Sequence, residues 1–296
     1  MAKPKGNLTP PLAQRARAGR KSVPAKAVAD GPQYVADGPQ YVAPALDKGL
    51  DILEALTDAE HGLSMAEIAQ QLQRSMSEIF RMVITLERRG WVTTDHGDRY
   101  HLSSRMFELA HRNRPVRTLV EAALPAMQAI VRQTLQSCHV SIADSGRVLV
   151  IAHVEAPGTV SLSVRTGSVV NLFTTASGQI LLAFRTPEER TKLVADNSLL
   201  FGDPPVSQTE WRAVVETVAR DAYACAPSYQ TLGVTDIGCP VWDRNGRCAG
   251  ALVVPYLENR GVQRGPTVEG VRDILKASAA EVSRALGYQL SWGCFK

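Results

Sequence analysis

The 296-residue chain, with 45% hydrophobic residues and a formal net charge of +4, exceeds what one hydrophobic core usually holds, so two domains are expected. No stretch approaches the ~18 uninterrupted apolar residues of a membrane span, and the opening MAKPKGNLTPPLAQRARAGRKSV lacks the apolar middle of a secretory signal, which predicts a cytoplasmic protein without a membrane partner. Five cysteines, at 138, 225, 239, 248 and 294, form an odd set without C-x-x-C spacing; this argues against a zinc ribbon or disulfide framework and reads as reduced thiols, mostly small core residues.

Residues 1–44 carry seven Lys/Arg against Asp30 and Asp37, a net +5, so the remainder is close to −1. This Pro/Gly/Ala-rich segment has no hydrophobic periodicity and predicts a disordered basic tail, either grazing DNA phosphates or simply solubilising. Within it ADGPQYV occurs in tandem at 29–35 and 36–42. Two short Gly-Pro turns do not make a solenoid, and a linker duplication is the expectation.

From 45 to 103 the pattern predicts three helices and a hairpin. Leu46, Leu50, Leu53 and Leu56, with Ile52, recur at helical spacing from Asp47, a candidate N-cap, to about Asp58. Ser64 opens S-M-A-E, a capping box with Glu67, for a short second helix over 64–72. Ile79, Met82, Val83 and Leu86 form one buried stripe of a third helix, leaving Ser77, Glu78, Arg81, Thr85 and Arg88 outward, with Phe80 on the flank as partial core. Gly90 ends that helix, and WVTTD, HGDR and YHLSS read as a two-stranded wing.

A winged helix-turn-helix presents the start of its third helix to base edges in the major groove. Arg81 is the side chain placed to fork onto guanine or clamp a phosphate. Ser75 or Ser77 would cap the helix and touch the backbone, while Arg88, Arg89 and Arg99 would hold phosphates from the helix end and wing. Arg74 and Glu78 complete the candidate set. Against this, residues 45–112 hold eight Lys/Arg and eleven Asp/Glu, and a winged helix acting as a protein-interaction adaptor remains an alternative.

The run GLSMAEIAQQLQRSMSEIFRMVITLERRGWVTTD…RYHLSSRMFELA resembles the IclR family of bacterial transcriptional regulators, whose recognition segment typically runs S-T-V-x-R-L-L-x-T-L-E-x-x-G-Y-V. The match rests on Ser77, Arg81, Thr85, Leu86, Glu87, Gly90 and Val92. Glu78 stands where the family often has Thr and Met76 where Lys is common, which implies fewer phosphate contacts and an altered site preference.

Beyond a 104–117 linker helix, apolar positions from Val116 to Gln136 fit one long amphipathic helix. CHVSIADSGRVLVIAHVE and DIGCPVWDRNGRCAGALVVPYLE predict hairpins with D-S-G and N-G turns. Helices are expected at 175–185, 188–195, 207–221 and Thr267 to Gly287, around a mixed, mainly antiparallel sheet of about six strands. SVRTGSVVNLFTTASGQILLAF (163–184) and GVTDIGCPVWDRNGR (233–247) resemble the IclR effector-binding domain, a GAF/PAS-like unit spanning 118–290, with 291–296 as a tail.

A helix starting at Thr175 to Ser177 leaves amides unpaired toward an anion or hydroxyl, and Ala176 and Gly178 allow close approach. On the residues alone, a capped helix packed on the sheet without ligand is the favoured reading. The resemblance makes this turn one wall of an effector pocket and places Asp236, Gly238, Cys239 and Val254 on the other. Val254-Pro255 departs from the family's common Ser-Gly, and Asp236 stands where some members have Cys or Ser, so the expected effector is a sugar acid, polyol or aromatic catabolite rather than a simple keto acid.

His139 and His153 flank the first hairpin beside Cys138, too few ligands for a metal site; one core and one exposed histidine are expected. Cys138 or Cys239 as a thiolate nucleophile lacks any supporting spacing, and no phosphate-binding glycine loop is present. The expectation is therefore an α+β regulator, not an enzyme, without cofactor. Its expected partners are double-stranded DNA with a near-palindromic operator, a small-molecule effector, and a second copy. The resemblance implies homodimers, often paired into a dimer of dimers, with helix one and the linker helices at the interface.

Overall fold

The computed structural model describes residues 43–158, 160–202, 204–258 and 265–289. The basic tail with its duplicated ADGPQYV and the C-terminal tail expected at 291–296 lie outside them, apart from Ala43 and Pro44. The described chain opens with α1 Pro44–Thr57, β1 Leu63–Ser64, α2 Met65–Gln71, α3 Met76–Arg88, β2 Val92–Thr94 and β3 Arg99–Leu102. Helix α1 starts three residues before the expected Asp47 because Pro44 suits the first turn, where its missing N–H is an orphan position. Asp47 instead sits within that turn, facing the positive end of the helix dipole.

Ile52, Leu53 and Leu56 of α1 pack with Ile68, Ala69, Ile79, Val83 and Val92 into the core of this unit. Leu46 and Leu50 share their spacing but lie 62% and 48% exposed: the apolar stripe runs on past the end of the three-helix core. Phe80 is likewise exposed rather than partial core. The capping box of α2 forms as expected, Glu67 N–H donating to Ser64 Oγ at 3.3 Å and Ser64 N–H to Glu67 Oε2 at 2.7 Å. Strand β1 joins the wing in an antiparallel sheet of order β1-β3-β2.

The linker helix expected over 104–117 ends earlier, and the long helix expected from Val116 starts earlier. Helix α4 Arg105–Arg112 stops at Asn113 (φ −72°, ψ 93°), and α5 Arg114–Thr134 begins beside Pro115. A continuous helix would require Pro115 to donate an N–H it lacks to the carbonyl of His111, against which its ring would also clash.

The second unit is built on β4 Cys138–Asp144, β5 Arg147–Val154, β6 Val169–Val170, β7 Ala224–Pro227, β8 Val234–Trp242 and β9 Cys248–Leu257. Their order is β6-β5-β4-β9-β8-β7, and every pairing is antiparallel. Helices α5 and α9 Val268–Ala285 cover one face. The other carries α6 Ala176–Ala183, α7 Pro187–Phe201 and α8 Gln208–Asp221. Burial on both faces explains the near-continuous apolar runs of β8 and β9. Helix α7 extends past the expected 195 because Asn197 is buried and donates from Nδ2 to the Gly146 carbonyl in the β4–β5 turn, at 2.6 Å.

Candidate functional site

Helix α3 buries Ile79 and Val83 and turns Ser77, Arg81, Thr85 and Arg88 to solvent. Its start is closed by an internal anion: Glu78 accepts the Ser75 N–H at 3.0 Å and the Ser75 hydroxyl at 2.9 Å, and pairs with Lys48 Nζ at 3.0 Å. The Ser75 amide, then Lys48, hold the Glu78 carboxyl down to about 2, so it stays ionised. Thr85 spends its hydroxyl on the Arg81 carbonyl at 2.7 Å. Arg81, Arg88 and Arg89 are exposed and make no ion pair among the described residues.

Two other arginines of the candidate set are engaged within the protein. Arg99 pairs with Glu67 at 2.8 Å and donates to the carbonyls of His61 and Gly62 at 2.9 and 3.0 Å. It fastens the wing to the start of α2. Arg74 pairs with Asp51 of α1 at 3.2 Å. The wing tip is folded by Asp95, which accepts the Gly97 and Arg99 amides and pairs with His101.

In the second unit, Thr175 caps α6 by accepting the Gly178 N–H at 3.2 Å, while Asn171 takes the amides of Phe173 and Thr174. The Ala176 and Ser177 amides at the helix start have no such partner among the described residues. Ser177 is buried, donates to Ser141 Oγ at 3.2 Å and lies 3.4 Å from His139 Nε2. With the serine proton committed to Ser141, the network assigns His139 as the Nε2–H tautomer. Its Nδ1 is then a buried acceptor without a partner, and Nδ1 of His153, directly opposite on β5, is buried and unpaired among the described residues as well. Burial, then His153, pushes His139 down to about 3, so it is neutral.

Strand alternation sorts the opposite wall. Gly238 faces α6: a Cβ there would meet Ile180 Cδ1 at 2.7 Å and Ala176 Cβ at 3.3 Å. Asp236, two residues earlier, shares that face, and burial raises its carboxyl above the usual range despite a hydrogen bond from Ser228. Cys239 and Val254 do not join them. Both are buried against α5 and α9 on the far face, Val254 directly opposite Ile237 in the ladder. The close approach expected at Gly178 is to the backbone of Leu172 in the preceding turn. Ser141 was missed; its period-2 offset from His139 is the signal that could have found it.

Burial pushes the Cys138 thiol up and those of Cys239 and Cys248 up to about 12, the reverse of nucleophile activation. Among the described residues, no three His, Cys, Asp or Glu side chains gather to hold a metal, and no helix is long and apolar enough to cross a membrane.

A model of the IclR helix-turn-helix domain matches residues 45–96, and one of the bacterial transcriptional regulator IclR C-terminal domain matches residues 115–284. The chain is 26% identical over 249 residues to a glycerol operon regulatory protein of Streptomyces coelicolor, covering 82% of this chain and 96% of that one. It is 24% identical over 244 residues to the HTH-type transcriptional regulator KdgR of Escherichia coli, covering 81% and 92%. Among solved structures, an IclR homolog from Microbacterium hydrocarbonoxydans complexed with 4-hydroxybenzoate superposes with a TM-score of 0.68 at 22% identity, over 82% of this chain and 98% of that one. Thermotoga maritima IclR gives 0.63 at 24% identity, over 82% and 98%.

Proposed function

Because this chain belongs to the IclR family of bacterial transcriptional regulators, we propose that α3 enters the major groove of a near-palindromic operator with Arg81 as its principal base or phosphate contact. The observation that carries this is Arg81 itself, outward on α3 opposite the buried Ile79 and Val83 and without an ion pair among the described residues. Ser77, Thr85, Arg88 and Arg89 border it. Arg74, Glu78 and Arg99 act on the duplex indirectly, by holding the helix start and wing in place.

The effector binds between the start of α6 and β8, against Thr175, Ala176, Ser177 and Asp236. The unmet acceptor of neutral His139, the unpaired Nδ1 of His153 and a carboxylate favour a ligand that brings hydroxyl groups, and the free α6 amides take an oxygen. A polyol, sugar acid or phenolic catabolite supplies both. The glycerol operon regulator and the 4-hydroxybenzoate complex among the relatives fit that class. One module buries too little surface for specific affinity, so two copies bind together. Leu46 and Leu50 of α1, with Met106 and Phe107 of α4, are exposed apolar residues suited to join them. Effector binding favours one arrangement of the pair and so shifts operator affinity.

Operator binding by purified protein, with and without a panel of polyols, sugar acids and aromatic acids, tests this. Arg81→Ala should weaken operator binding by roughly 1–3 kcal/mol; unchanged affinity removes Arg81 from the contact surface. Asp236→Ala should alter ligand-induced release while sparing DNA binding by the free protein. An unaltered ligand response would remove the pocket assignment.

A further inference from the structure

At the opposite end of the strands from His139 and Asp236 lies a cleft of about 800 Å³ between the start of α5, the end of β4 and the β8–β9 turn. Four arginines line it, Arg114, Arg185, Arg244 and Arg247, together with Asp144 and Asp243. None of the four makes a hydrogen bond or ion pair through its side chain among the described residues. Asp243 is turned to local work: its Oδ1 accepts the amides of Asn245 and Arg247 at 2.8 and 2.9 Å. The lining therefore carries a net charge of +2.

Guanidinium groups gathered around one concavity repel one another, and among the described residues the two lining aspartates offset only half of that charge. The positive end of the 21-residue α5 opens on the same cleft, and Asn113 makes no side-chain capping bond there. Arginine forks match oxyanions of planar carboxylate or phosphate type bidentately. We propose that this cleft is a second small-molecule site, separate from the effector pocket, that takes a dianion: a phosphate ester or a dicarboxylate. Asn113 and Pro115, where α4 gives way to α5, form part of its wall. A dianion bound here bears on the joint between the DNA-binding unit and the effector unit, and coupling between it and operator binding runs equally in both directions.

Titration calorimetry of the full chain with inorganic phosphate, succinate and, as a monoanion, acetate tests this at about 50 and 200 mM salt. The expected result is saturable binding of phosphate or succinate with a dissociation constant near or below about 1 mM, weaker at the higher salt, with acetate about tenfold weaker. Which dianion binds separates the phosphate from the dicarboxylate source. Arg185→Gln and Arg244→Gln should each weaken binding about tenfold with unchanged thermal melting. Three outcomes overturn the site: no saturable dianion binding up to about 10 mM, dianion binding indifferent to both substitutions, or substitutions that weaken operator binding by the free protein while no dianion binds. The last would make the arginines a surface for DNA phosphates.

Discussion

His139 and Ser177, 38 positions apart in the chain, meet between the sheet and α6, with imidazole Nε2 3.4 Å from the serine Oγ and Ser177 donating onward to Ser141. The pair locks the helix start to strand β4 through polar groups that have no access to water. Replacing Ser177 by Ala leaves both the imidazole N–H and Ser141 without this partner. A loss of about 1–3 kcal/mol in unfolding free energy is expected, measured by urea denaturation. A Ser177→Ala protein as stable as its parent would show that the contact contributes nothing.

The same histidine sets a pH dependence. In the fold its pKa lies at about 3, well below its ordinary 6.5, so the unfolded chain binds a proton that the folded chain refuses. Stability is therefore fully present above about pH 6.5 and falls as pH drops toward 3, by up to roughly 1 kcal/mol per pH unit. Denaturation between pH 7 and 5 reads this directly, before the carboxylates titrate. His139→Asn should flatten the profile; an equally steep decline in that variant would assign it elsewhere.

Arg99 is a fastener of the wing. Arg99→Ala removes its bonds to Glu67 and to the carbonyls of His61 and Gly62, and a destabilisation of about 1–2 kcal/mol is expected by thermal denaturation. Operator affinity should fall only with wing order, leaving the salt dependence of binding intact. A drop in the salt slope by about one would instead make it a phosphate contact.

Two helical glycines should respond oppositely to alanine. Gly178→Ala drives a methyl into the backbone of Leu172, which cannot step aside, and should cost about 2–3 kcal/mol. Gly49→Ala, inside α1 with nothing within 4 Å of the added carbon, should stabilise by about 0.5–1 kcal/mol. Melting curves of the two variants decide; a tolerated Gly178→Ala would mean that the 171–174 turn is free to shift.

Much of the fold was legible because its signals are local. The Ser64 and Glu67 capping box, the Ile79 and Val83 stripe and the N-G turn of the second hairpin each lie within a few residues. Strands β1, β6 and β7 were not legible: two to four residues long, they carry too little pattern to stand out, and β1 exists only because β3 runs beside it. The position of the linker break, at Asn113 rather than 117, was readable in retrospect from Pro115. In the candidate pocket, the turn at Thr175 to Gly178 and the position of Asp236 were legible, but alternation also places Cys239 on the far face, and a reading by motif alone overlooked it.

By itself the sequence determined the order of elements and the outward row on α3, since helical and strand periods follow from backbone geometry. Only the tertiary structure decided which charges in that unit are free. Arg74 meets Asp51 from 23 residues away and Arg99 meets Glu67 across the wing, while Arg81 meets neither. Charge pairing depends on distance through space, which packing sets and residue spacing does not encode.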